Sequence, residues 1–194
     1  MTSATPVNKD DAKIDDVSSH QGSIKTNGMY KTMKGWKDSN EHRIAIVIGN
    51  SEYGELRKDP ETKAFGNIPE ALTDVKVVVR GLQHIGFDKS EITELINPDK
   101  ESLKTLFNKV MDQAYMNGKE GKETILFVYF AGHGAMDNDT YIILNGPKMA
   151  FPLEKMLRTI SKMTGTYVIA LLDCCREKLS FEQWRGGVGG EKHD

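Results

Sequence analysis

The stretch Leu126-Phe127-Val128-Tyr129-Phe130-Ala131-Gly132-His133-Gly134 decides the fold. A short apolar run with no polar face reads as a strand buried on both sides, as in the middle of a parallel sheet. Here it ends abruptly in a glycine-flanked histidine. A second run of the same kind, Val168-Ile169-Ala170-Leu171-Leu172, ends in Asp173-Cys174-Cys175-Arg176. A third, Arg43-Ile44-Ala45-Ile46-Val47-Ile48, precedes both and is stopped by Gly49-Asn50. Three buried strands, two of them tipped with reactive side chains, are the frame for the rest of the chain.

Between these strands the apolar period changes from continuous to helical. A loop from Ser51 to about Ile68 leads to Pro69, which suits a first helical turn. Ala71, Leu72, Val75, Val78, Val79 and Leu82 then recur on one helix face, and Gly86 is the expected C-terminal cap. Gly81, inside that helix, reads as a close-packing point. Ile92 to Ile96 reads as a short strand. Asn97 and Asp99 precede a helix with Leu103, Leu106, Phe107, Val110 and Met111 on one side. Tyr141 to Leu144 reads as a short strand or hairpin arm. Pro152 opens a helix expected to run through Met163, with Gly165 ending it. Strands alternating with helices of this length imply crossover connections and a mostly parallel sheet covered on both faces. The expectation is an α/β protein with a disordered N-terminal segment over 1–39, one domain over 40–183 and a flexible C-terminal tail over 184–194.

Composition narrows the function. Lys and Arg number 26 against 28 Asp and Glu, a formal charge of −2, which argues against a general nucleic-acid binder. No apolar run approaches the roughly 20 residues that span a bilayer, and the opening Met1 to Asp16 has no apolar signal core. These features predict a cytoplasmic or nuclear protein with neither nucleic acid nor membrane as partner. The only two cysteines, Cys174 and Cys175, are adjacent. A disulfide between neighbours closes a strained ring, so two free thiols in a reducing compartment are expected. Two thiols are also too few for structural zinc.

Ligands of open parallel sheets bind at the carboxyl ends of the strands. His133 and Cys175 both fall at that edge, and they are neighbours if their strands are adjacent. Thiol catalysis needs a sulfur nucleophile, an imidazole to take its proton and N–H donors for the developing oxyanion. Cys175 can supply the thiol and one N–H, His133 the imidazole and Gly134 the second N–H. Asp173, two residues before Cys175, can turn its carboxylate to the same cleft.

An apolar strand ending in Gly-His-Gly, followed by a second ending in Asp-x-Cys, resembles the caspase-like cysteine peptidases. The His-to-Cys separation of about 40 residues is close to the caspase-type spacing. Ile48-Gly49-Asn50-Ser51-x-Tyr53 and Asp74 also match the metacaspase and paracaspase branches, and the two catalytic stretches resemble paracaspases most. The resemblance covers roughly Arg43 to Ser180. It implies a caspase-like three-layer α/β/α fold, with 40–183 as the large-subunit portion and the small-subunit portion missing. It selects Cys175 over Cys174 as nucleophile, leaves Cys174 facing the core, and places Gly134 in the oxyanion hole. Aspartate-specific caspases carry Gln where Asp173 stands. A carboxylate there implies a protein or peptide substrate with a basic P1 residue, Arg or Lys, held by a charge-assisted contact.

Departures from the family pattern set further expectations. Arg176-Glu177-Lys178 stands where metacaspases commonly have His-Ser-Gly, and the chain runs from Cys175 only to Asp194. A small-subunit-like chain or a homodimer partner is therefore a candidate partner. The alternative reading is an inactive caspase-like module that assembles with a partner completing the fold. No metal or other cofactor is expected. Asp137 and Asp139 read as a solvated turn, because calcium needs six or more oxygens and no dense acidic loop is present. A nucleotide binder is disfavoured by the lack of a phosphate loop. His42, His84 and His193 read as surface residues, and Arg57 and Lys58 as a solvated loop.

Overall fold

A computed structural model describes residues 40–54, 65–146, 150–175 and 177–178, all within one compact unit. The expectations for 1–39 and 184–194, for Arg57 and Lys58, and for His193 lie outside the described residues. The central sheet has four parallel strands in the order β2 (Ile92–Ile96), β1 (Glu41–Gly49), β3 (Glu123–Ala131) and β7 (Thr166–Asp173). A second, smaller sheet stands beside its carboxyl edge. Its order is β6 (Ala150–Phe151), β5 (Asp139–Ile143), β4 (Gly134–Asp137) and β8 (Glu177–Lys178).

Helices cover both faces. Helix α1 (Glu70–His84) packs Ala71, Val75 and Leu82 against Ala45 and Val47 of β1 and Tyr129 and Ala131 of β3. On the other face α2 (Lys100–Lys119) and α3 (Leu153–Ile160) set Leu103, Phe107, Leu153 and Ile160 against Ile46, Ile48, Leu126, Val128 and Phe130. The alternation of these residues along β1 and β3 is the two-residue period of a strand with an apolar layer on each side. The expected three-layer α/β/α architecture is present.

Local signals act as their chemistry dictates. Asp99 caps α2 by accepting the Ser102 N–H at 2.7 Å. Gly86 closes α1 with φ of 105°, while Phe87 N–H donates to Leu82 O and Gly86 N–H to Gln83 O. That paired closure needs a left-handed residue, which glycine adopts without strain.

Three expectations need correction. β7 is not buried on both faces: it is the edge strand, and Tyr167, Ile169 and Leu171 are 56%, 51% and 53% exposed. Helix α1 reaches over β2, β1 and β3 but leaves this face of β7 bare among the described residues. Helix α3 stops at Ile160 rather than Met163, because Ser161 to Gly165 turn, with Gly165 at φ of 67°, to enter β7. Gly81 is no close-packing point, since a methyl group there would meet open space.

Candidate active site

The tips of β3 and β7 form one surface. The two strands are in register to their last pair, Ala131 opposite Asp173, and Gly132 N–H extends the ladder to Asp173 O at 3.2 Å. On the other side Asn50 N–H donates to Ala131 O at 2.9 Å. The turn bearing His133 therefore leaves a sheet edge that is fixed from both neighbours.

Beyond the strand, the turn is held again. Ile143 N–H of β5 donates to His133 O at 2.9 Å, and His133 N–H donates to the Tyr53 hydroxyl at 2.8 Å. The imidazole lies edge-to-face against Tyr53 and Phe65, with ring centroids 4.6 and 5.1 Å away. Its Nε2 is 2.8 Å from Gly66 O. A carbonyl only accepts, so this bond requires the proton on Nε2 and leaves the Nδ1 lone pair free in the neutral ring. The described partners of the ring thus all come from the loop between β1 and α1.

The β7 tip divides its side chains. Cys174 is half-buried and packs against the core formed with α2 and α3, while Cys175 is exposed. Gly134 brings the two tips into contact. A methyl group on Gly134 would lie 2.5 Å from Cys174 Sγ and 2.6 Å from Cys175 O, so only glycine fits there. Gly134 and the Cys175 carbonyl are in this way neighbours at the two strand tips.

Asp173 points to the opposite face from Cys174, as alternation along a strand requires. The Tyr129 hydroxyl approaches its Oδ2 at 3.4 Å. Tyr129 is pushed up to about 12, first by burial and then by the negative charges of Asp173 and of Asp74 on α1. A phenol held neutral beside two carboxylates marks a patch of concentrated negative charge next to the β7 tip.

Comparison with known proteins identifies the family. The model of the peptidase C14 family, the caspase domain, matches residues 42–194. The chain belongs to the caspase-domain peptidase family. A paracaspase from Dictyostelium discoideum is similar at 26% identity over 144 residues, which is 73% of this chain and 32% of that protein. The chain thus spans about a third of the length of the curated relative it matches.

Within this caspase domain, the structure brings together the backbone of Gly134 and Cys175, and it sets Asp173 at the same strand tip. Asp74 is a family match in the sequence, and the fold sets its charge near Tyr129, a proximity that the motif does not specify. A carboxylate between Ala71 and Val75, on the helix face that meets the sheet, was the available signal. Asp139 pairs with Arg158 of α3. Among the described residues no three His, Cys, Asp or Glu side chains gather where a metal ion would sit. No helix among them is long and apolar enough to cross a membrane. His42 and His84 are exposed, as expected.

Proposed function

We propose that the chain is a cysteine-type endopeptidase with His133 and Cys175 as its dyad, cleaving after Arg or Lys. The observation that carries the proposal is the close approach of the Gly134 turn to the Cys174 side chain and the Cys175 carbonyl, beside an imidazole whose Nε2 is committed to Gly66 O. In this reading Nδ1 of His133 takes the proton of the Cys175 thiol. The sulfur adds to the scissile carbonyl while the N–H groups of Gly134 and Cys175 hold the oxyanion. Collapse of the tetrahedral adduct breaks the C–N bond, and His133 returns the proton to the leaving amine. Water then hydrolyses the thioester and regenerates the thiol.

Asp173, with Asp74 and the neutral Tyr129 beside it, supplies the charge that a P1 guanidinium or ammonium group would neutralise. The chemistry as proposed uses no metal. Two cysteines outside any disulfide fit the reducing cytoplasm.

A second reading, a caspase-like module that assembles with a partner completing the sheet, is favoured by one observation: the bare apolar face of β7. An Arg-P1 acyl-reactive probe separates the two. Labelling of the wild-type protein that is lost in Cys175→Ala supports the peptidase. No labelling under any condition, calcium included, supports the assembly module. Cleavage of peptides after Asp and none after Arg would contradict the P1 assignment.

A further inference from the structure

We infer that Tyr53 is a positioning residue for the dyad, setting the main chain that carries both the His133 imidazole and the Gly134 oxyanion donor. The inference rests on the peptidase reading and concerns a side chain argued to act through His133 and Gly134 rather than on the substrate. Tyr53 is fully buried and is the largest such side chain among the described residues. The backbone that delivers it is pinned by the side chains of Asn97, just after β2, and of Asn67, further along the same loop. Asn97 Oδ1 accepts Ser51 N–H at 2.8 Å and Glu52 N–H at 3.1 Å, and Asn67 Oδ1 accepts Tyr53 N–H at 3.0 Å.

From that fixed stem the phenol reaches across to the β3 tip. Its oxygen accepts the His133 N–H at 2.8 Å, and its ring meets the imidazole edge-to-face. Gly132 closes against the same hydroxyl: a methyl group at Gly132 would lie 2.6 Å from it. One phenol thus contacts residue 132 by packing, residue 133 by a hydrogen bond and the imidazole by its ring. Burial raises the pKa of Tyr53 despite the hydrogen bonds from His133 and Asn50, so the hydroxyl stays neutral near pH 7. Gly66 O fixes which ring nitrogen holds the proton, whereas Tyr53 fixes where the turn stands. The two contacts are separable.

Tyr53→Phe keeps the ring contact and removes the acceptor, leaving the His133 N–H without its partner. With the full chain and the Arg-P1 probe, we expect the maximal labelling rate to fall about tenfold, equivalent to ~1.4 kcal/mol. The half-saturating probe concentration should stay within about twofold, because no substrate contact is lost. By NMR, the His133 and Gly134 amides should exchange faster than in wild type. Val110→Ala, a remote core variant in α2, controls for lost stability and should move neither reading.

Wild-type labelling and wild-type His133 amide exchange in Tyr53→Phe would overturn the inference and leave the peptidase reading intact. Should the wild-type protein not label at all, the peptidase reading fails, and the amide measurement still decides whether Tyr53 holds the turn. Should Tyr53→Phe not fold, Asn67→Ala loosens the stem of Tyr53 and leaves its hydroxyl. It should give the same shifts at smaller size, and unchanged His133 amide exchange there would overturn the inference.

Discussion

β3 and β7 lie side by side, parallel and in register, and both carry an apolar run to a reactive tip. They differ in what covers them. β3 sits between β1 and β7 with α1 on one face and α2 on the other. β7 has β3 on one side, and its Val168 and Leu172 meet the core on the face of α2 and α3. Its opposite face, Tyr167, Ile169 and Leu171, lies open. The histidine half of the site is therefore finished by described residues, from Tyr53, Phe65 and Gly66 to Ile143. The cysteine half stands on a strand with one apolar flank that no described residue covers. In the proposed peptidase reading, the first half is the part that must be rigid, and the second is where a substrate or partner would add contacts.

The sharpest way to break this contrast is truncation on each strand. Phe130→Ala in β3 removes a fully buried ring and should cost about 3–5 kcal/mol by chemical denaturation. Leu171→Ala, at the half-exposed position on β7, should cost no more than about 0.5 kcal/mol. Equal losses would mean that the β7 face is covered after all. Next in size is Gly134→Ala. The new methyl group meets the Cys175 carbonyl, which cannot swing away like a side-chain end, so overpacking should cost about 1–3 kcal/mol. Probe labelling should be lost with it, and a normally stable, normally labelled variant would show that the two tips are not in contact.

The smallest effect lies at Tyr129, which bridges the strands through Asp173. Its raised pKa means that the folded state holds the proton more tightly than the unfolded chain. The associated stability is fully present below the ordinary tyrosine value near 10 and is lost as pH rises through about 12. Asp173→Asn should lower the Tyr129 value, visible as earlier phenolate absorbance in an alkaline titration. No change would mean that burial and the Asp74 charge set it.

Much of the frame was legible in the sequence. The strand Ile92–Ile96 appears with the bounds its apolar run suggested, and Asp99 and Gly86 act as the caps their residue types favour. What was not legible depended on partners distant in sequence. Ala135-Met136-Asp137 has no strand pattern of its own, and β4 exists because β5 and β8 flank it. The apolar run of β7 gave each residue's preference for burial, but not whether anything lies over it. At the site, the His133 and Cys175 motifs stood out as reactive groups at strand ends. The roles argued for Tyr53 and Asp74 needed the packing of the β1 tip and α1 on β3, which no local pattern encodes.

The central claim is that the β3 and β7 tips make one thiol-imidazole site, and its most direct test is to map the adduct of an Arg-P1 acyl-reactive probe by peptide mass spectrometry. A single adduct on Cys175, absent in His133→Ala, is the predicted result. An adduct on Cys174, or one on Cys175 formed equally well without the imidazole, would contradict it.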